Sequence, residues 1–197
     1  MARAPLGLKA YALSLLARRE YSRSELAQRL KAQARKLTLW QAQDRLGAVQ
    51  AAAADPMAAF LAGPAEPAPS TSVPDPEWLE ARAEADAAEV DAVLDWLAQQ
   101  RYQSDERFVE SRVHARAGRF GQARIRQELA RHGVELDADT AQSLRDTELA
   151  RAREVWRKRF GTPATEPSER ARQMRFLAAR GFSPELIRRV VGGRDDD

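Results

Sequence analysis

The stretch that decides the fold is Phe120-Gly-Gln-Ala-Arg-Ile-Arg-Gln-Glu-Leu-Ala-Arg-His-Gly133. Ile125 and Leu129 are four positions apart, so they lie on one face of a helix. Gly133 comes four residues after Leu129 and precedes an apolar residue, a pattern typical of a helix that ends at a left-handed glycine. The stretch therefore predicts a turn, a short amphipathic helix and a glycine cap.

Parts of this pattern occur twice more in the chain. The segment Tyr21-Ser-Arg-Ser-Glu-Leu-Ala-Gln-Arg-Leu30 matches the first half, since it also begins with an aromatic and a small residue and has aliphatic residues at its sixth and tenth positions. The segment Leu177-Ala-Ala-Arg-Gly-Phe182 matches the second half, within a weaker third copy that starts at Ser168. Such internal similarity is the signature of a repeat protein.

The composition favours an all-α protein, because Ala, Leu, Arg and Glu dominate and aromatic residues are only 7% of the chain. We predict three tandem three-helix repeats, each resembling a helix-turn-helix, in an elongated, curved array. Repeats this small need their neighbours to bury a core. The predicted repeats comprise residues 1–103, 104–146 and 147–197.

Capping signals locate several helices inside these repeats. The first helix of each repeat is predicted over residues 6–19, 104–117 and 147–160, and the last helix over 89–97 in the first repeat and 185–191 in the third. Ser104 and Ser183 are predicted to cap the helices that follow them.

The first repeat carries an insertion at about residues 37–88. Its centre is a proline-rich run from Gly63 to Pro76, which is typical of a linker. We expect the insertion to be largely disordered, above all from about Asp55 to Asp75. Four apolar residues upstream leave two alternatives open, an extended second helix or an additional helix: Leu39, Trp40, Leu46 and Val49.

Basic residues are concentrated outside this insertion, although the formal net charge is only +3. Their arrangement on helices favours a surface for phosphates or acidic protein, and the alternative is an ordinary solvated face. Arg112 and Arg116 share a helical face, whereas Arg124 and Arg126 do not. The candidate binding residues are Arg112, Arg116, Arg119, Arg124, Arg126, Arg131, Arg153 and Arg157. A weaker group on the third repeat's first helix consists of Arg151, Arg153, Arg157, Lys158 and Arg159.

Other classes of site lack support in the sequence. The chain has no cysteine and no nucleophile motif, phosphate loop or dinucleotide fingerprint, so we expect no enzymatic activity, no cofactor and no metal. The short apolar stretch after Met1 lacks the cleavage site of a signal peptide, and we expect a cytoplasmic protein. Four aromatic residues are expected to pack in the core rather than stack on bases: Trp96, Phe108, Phe120 and Trp156.

Two stretches closely resemble the RecX family. Tyr102-Gln-Ser-Asp-Glu-Arg-Phe-Val-Glu-Ser-Arg-Val-His-Ala-Arg116 is similar to the opening of the family's second repeat, and residues 120–133 are similar to the adjoining glycine and basic helix. Residues 12–26 and 170–191 extend the resemblance to nearly everything except the insertion. It implies three tandem three-helix repeats and a cytoplasmic regulator.

The partner implied by the resemblance is the RecA filament on single-stranded DNA. Such a regulator would restrain the ATPase, strand exchange and co-protease activities of RecA, and so act on recombination, DNA repair and the SOS response. The basic helices leave an alternative open, a module that binds DNA directly without RecA. We expect a monomer that does not bind a membrane.

Overall fold

The chain is described by a computed structural model that covers residues 4–54 and 76–192, with side chains for residues 4–44 and 80–192. Every regular element within these ranges is a helix, which confirms the all-α prediction. No helix in the described ranges is long and apolar enough to cross a membrane. The helices are α1 (Leu8–Leu16), α2 (Arg23–Ala54), α3 (Pro76–Gln99), α4 (Asp105–Ala117), α5 (Gln122–Arg131), α6 (Ala138–Asp146), α7 (Glu148–Arg159), α8 (Pro167–Ala178) and α9 (Pro184–Val191).

The described residues form two compact units. Compact unit one contains residues 4–19, 25–54 and 76–103, and compact unit two contains residues 20–24 and 104–192. Compact unit two therefore holds both the predicted second and third repeats, together with the turn before α2. The repeat boundaries and the elongated, curved arrangement stay predictions.

Compact unit one settles which of the two alternatives for the insertion is correct. Helix α2 continues without interruption to Ala54, so the apolar residues after Leu37 extend the second helix. Helix α3 begins at Pro76, well before the predicted start at Glu89. The Arg82 guanidinium lies 2.8 Å from a carboxylate oxygen of Asp86 and donates a 3.2 Å hydrogen bond to Thr38, which joins α3 to α2. The expectation of disorder for residues 55–75 falls outside the described residues.

Compact unit two has two separate hydrophobic clusters, one for each three-helix unit. The cluster of α4–α6 is built around Phe108, which has no exposed surface. The cluster of α7–α9 is built around Leu177 and Trp156, whose indole N–H donates a 2.8 Å hydrogen bond to the buried Gln173 amide oxygen. The packing prediction is thus confirmed for Phe108 and Trp156, whereas Trp96 and Phe120 are only half-buried.

The predicted helix caps are present. The Ser104 hydroxyl accepts a hydrogen bond from the Arg107 N–H at 3.1 Å, and the Ser183 hydroxyl accepts one from Leu186 at 3.4 Å. The third helix of the second repeat, α6, had no predicted position; it begins after Asp137, whose carboxylate accepts from the Thr140 N–H at 2.8 Å.

The two halves of the repeated pattern pack against each other. The Gly121 N–H, in the turn before α5, donates a 2.9 Å hydrogen bond to the Arg180 carbonyl, beside the glycine that ends α8. The Ser22 hydroxyl, in the equivalent turn before α2, donates a 2.8 Å hydrogen bond to the His132 carbonyl, beside the glycine that ends α5. The aromatic and small-residue turn of one copy therefore docks on the glycine cap of the next.

A carboxylate reinforces each docking contact. Asp105 accepts a 2.8 Å hydrogen bond from the Arg23 N–H, and Glu148 accepts a 2.8 Å hydrogen bond from the Gln122 N–H. Both N–H groups belong to the first turn of a helix, where no carbonyl of the helix itself can accept them. Because Glu148 is only 6% exposed, this bond also satisfies a buried charge.

Candidate arginine-rich binding site

Arg112 and Arg116 project from α4 toward a carboxylate on α5. Their guanidinium nitrogens lie 3.6 and 3.1 Å from the same Glu128 oxygen. The prediction that the two arginines share a face is confirmed, and sequence reasoning missed the acid that partly neutralises them. Since α5 supplies that acid from another helix, no spacing along α4 could have indicated it.

Arg119 and Arg124 both contact the ring of Phe120. Each guanidinium carbon is 5.8 Å from the centre of the Phe120 ring, within the range of a cation–π contact. Both side chains are exposed. The Arg116 guanidinium carbon lies 5.9 Å from the centre of the same ring, so the turn between α4 and α5 brings three predicted site residues together.

The other predicted residues lie elsewhere on the surface of compact unit two. Arg126 is exposed and about 200° around α5 from Arg124, because a helix turns once in 3.6 residues. Arg131 is exposed in the last turn of α5. On α7, Arg153 is exposed, and Arg157 is exposed and pairs with Glu154. Among the described side chains, no contact joins these four to the Phe120 ring.

Arg151 points inward, unlike the other members of its predicted group. Its guanidinium donates hydrogen bonds of 2.9, 2.8 and 2.7 Å to the carbonyls of Ala117, Phe120 and Leu144. Burial lowers the pKa of Arg151, and the nearby carboxylate of Glu148 opposes that shift. Arg151 is therefore part of the packing between three-helix units and is occupied by carbonyls of its own chain.

Two arginines of the third repeat complete a cluster with Arg119 and Arg124. The Arg180 guanidinium carbon lies 3.6 Å from the centre of the Phe176 ring, and that of Arg159 lies 5.9 Å from the centre of the Phe160 ring. The two rings contact each other edge to face at 5.1 Å. Burial lowers the pKa of Arg180, and the positive charges of Arg119 and Arg159 lower it further.

We call Arg119, Arg124, Arg159 and Arg180 the arginine cluster. In the part of the chain that the structure describes, no carboxylate lies within 4.0 Å of any of the four guanidinium groups. Sequence reasoning included Arg159 only in the weaker group and missed Arg180. One signal was available, since Arg119 and Arg159 each begin the sequence Arg-Phe-Gly.

The geometry suits the binding of anions. A guanidinium that covers an aromatic ring keeps N–H donors at its edge, and those donors match the two oxygens of a carboxylate or phosphate group. The Arg180 guanidinium covers one face of the Phe176 ring, and the Phe120 and Phe160 rings each have arginine guanidinium carbons 5.8–5.9 Å from their centres. The cluster therefore presents hydrogen-bond donors and positive charge rather than an open stacking surface.

Comparison with known proteins identifies the family of the chain. The family model described as "RecX, second three-helix domain" matches residues 104–138, and "RecX, third three-helix domain" matches residues 146–191. Regulatory protein RecX of Ralstonia pickettii is 37% identical over 98% of this chain and 92% of its own length. The chain belongs to the RecX family. The RecX proteins of Ralstonia nicotianae and Leptothrix cholodnii are 36% and 53% identical over 98% and 54% of this chain, and over 91% and 69% of their own lengths.

Family membership confirms the resemblance drawn from the sequence. The relatives are named regulatory proteins. The two family models divide the arginine cluster between them, since Arg119 and Arg124 fall in the second three-helix domain and Arg159 and Arg180 in the third. The candidate site therefore lies where two RecX domains meet.

Proposed function

We propose that this RecX-family chain binds the RecA nucleoprotein filament and restrains the ATPase, strand exchange and co-protease activities of RecA. The observation that carries the proposal is the arginine cluster, a group of positive charges at the junction of two RecX domains, of which Arg119, Arg124 and Arg159 are exposed and Arg180 is half-buried. A filament of protein on DNA is a strongly negative surface, so positive charge speeds encounter and fixes orientation. The chain acts as a binding protein and catalyses no reaction itself.

The arginines are not equal in this proposal. Arg112, Arg116 and Arg157 already contact carboxylates of their own chain, so they offer less uncompensated charge to a partner. Arg119, Arg124 and Arg159 are exposed, and among the described side chains they contact phenylalanine rings but no carboxylate. We assign the main contribution to binding to the second group. The proposed setting is the cytoplasm, where a monomer regulates recombination, repair and the SOS response.

The test is ATP turnover by RecA on single-stranded DNA with increasing amounts of the full chain. We expect turnover to fall and to level off as the filament saturates. Added salt should shift the dependence to higher protein concentration, because charge contacts are screened. Unchanged turnover at a large excess of the chain, in buffer of low ionic strength, would overturn the proposal.

A further inference from the structure

The arginine cluster is shared by two three-helix units that dock through their backbones. The Gly121 N–H bonds to the Arg180 carbonyl, and a Cβ added to Gly181 would lie 2.6 Å from the Arg124 N and Cβ atoms. This close approach places Arg119 and Arg124 beside the turn that carries Arg180. The geometry of the cluster thus depends on how α8 docks on α5.

The charges in the cluster oppose this docking. Arg180 experiences the positive charge of Arg119 across the junction and that of Arg159 within its own three-helix unit. The pair Arg112 and Arg116 differs, since the Glu128 carboxylate compensates them. An anion bound among the cluster's guanidinium groups would relieve repulsion across the junction, as Glu128 does within α4 and α5.

The chemistry favours phosphate over other anions. All four members are arginines, which offer paired N–H donors in a fixed plane to the oxygens of a phosphate group. The four arginines extend over two three-helix units, which fits a polymeric ligand that carries several negative charges along its length. Since each ring of the cluster already contacts a guanidinium group, the site offers donors to a phosphate backbone more readily than it offers a ring to a base.

We propose that the arginine cluster binds the phosphate groups of a nucleic-acid strand, and that the bound strand strengthens the docking between the two three-helix units. This inference rests on the proposed function, since it names the part of the nucleoprotein filament that the cluster contacts. A protein surface rich in carboxylates is the competing ligand.

The first test measures binding of a fluorescent oligothymidylate to the full chain without RecA. Arg124→Gln and Arg126→Gln form a matched pair, since both remove one exposed charge from α5 and only Arg124 belongs to the cluster. We expect Arg124→Gln to weaken binding several-fold and to reduce the slope of log affinity against log salt by about 0.7. Arg126→Gln should have a clearly smaller effect, and equal effects of the two variants would overturn the proposal.

The second test measures the thermal midpoint of the full chain with and without oligothymidylate, and with polyglutamate of equal total charge. A strand that strengthens docking raises the midpoint, because a ligand that binds the folded form stabilises it. We expect a rise with oligothymidylate that is largely lost in the double variant Arg119→Gln and Arg159→Gln. An equal or larger rise with polyglutamate, or an unchanged rise in the double variant, would contradict the assignment to phosphate.

The two proposals fail in different ways. If the double variant still binds oligothymidylate like the wild type but no longer inhibits RecA, the cluster contacts protein and only this inference fails. If the wild type binds oligothymidylate as expected but never inhibits RecA, the proposed function fails and the phosphate site remains. Circular dichroism of each variant verifies that the helices are retained.

Discussion

Gly181 and Gly161 have nearly the same left-handed backbone, with φ of +79° and +77°, but different surroundings. A Cβ at Gly181 would lie 2.6 Å from backbone and side-chain atoms of Arg124, whereas nothing lies within 4 Å of one at Gly161. Both positions impose backbone strain on an alanine. Only Gly181 also imposes a steric clash on the docking of two three-helix units.

We therefore expect Gly181→Ala to lower the free energy of unfolding by about 3 kcal/mol or more, from strain and overpacking together. Gly161→Ala should cost about 1 kcal/mol, from strain alone. Urea denaturation of both variants measures the difference. Similar losses for the two variants would show that the contact with Arg124 adds nothing to stability.

The sequence predicts the conformation of Gly181 but not its contact. The spacing from Leu177 and the apolar Phe182 are local signals of a glycine cap, and the structure confirms the cap. The approach of Arg124 depends on residues more than fifty positions away, which no local pattern reports. Arg180 was missed for the same reason, because its neighbours in space come from another repeat.

Two helix ends and the turn between α4 and α5 converge on Arg151. Its guanidinium donates hydrogen bonds to the carbonyls of Ala117 at the end of α4, Phe120 in the following turn, and Leu144 near the end of α6. Carbonyls at helix ends lack partners within their own helix. Arg151 supplies these partners from α7 and so joins the second and third repeats.

Replacing Arg151 with methionine keeps much of the apolar stem and removes the three hydrogen bonds to carbonyls. We expect a loss of about 2–4 kcal/mol in the free energy of unfolding, since carbonyls at the junction lose a charged donor. Arg157→Met on the same helix should cost less than about 1 kcal/mol, because an exposed ion pair contributes little. Equal losses in chemical denaturation would rule out the joining role of Arg151.

We expect the free energy of unfolding to depend on pH through Asp137, which caps the start of α6. Hydrogen bonds from the Thr140 side chain and backbone hold the pKa of Asp137 below its ordinary value. A carboxyl whose pKa is lower in the folded protein stabilises the fold at any pH above its ordinary, unfolded pKa. This contribution is lost as the pH falls through the pKa of the folded protein. In Asp137→Asn the amide oxygen still caps the helix but does not titrate.

We expect the stability difference between wild type and Asp137→Asn, measured by urea denaturation, to shrink as pH falls below about 4. The Asp139→Asn variant removes the same charge from the first turn of α6 and leaves the Asp137 cap in place. It therefore measures the effect of charge alone. A difference that stays constant between pH 5 and pH 2 would contradict the role assigned to the Asp137 carboxylate.

The elements differ in how far the sequence determines them. Serine caps and apolar spacing located α4 and α9 to within a residue or two. The sequence did not determine where α2 ends. The alanine-rich stretch before Asp55 favours a helix, but the apolar residues of this region lack a regular helical spacing. The observed helix to Ala54 follows its intrinsic propensity.

Across the molecule, the arginines of compact unit two fall into two groups, those with a carboxylate neighbour and those without one among the described side chains. Arg112 and Arg157 have a carboxylate neighbour, whereas Arg119 and Arg124 have no carboxylate neighbour among the described contacts. The sequence predicted all four as site residues alike. Sequence alone identifies basic helices, but tertiary packing decides which charges are compensated. The same packing adds Arg159 and Arg180 to the candidate site.

The most direct test of the central claim compares two double variants for inhibition of RecA ATP turnover on single-stranded DNA. One carries Arg119→Gln and Arg159→Gln, in the arginine cluster. The other carries Arg157→Gln and Lys158→Gln, both exposed and both paired with Glu154. We expect the first variant to need at least about tenfold more protein for half-maximal inhibition, and the second to stay close to wild type. Equal inhibition by the two variants would contradict the central claim.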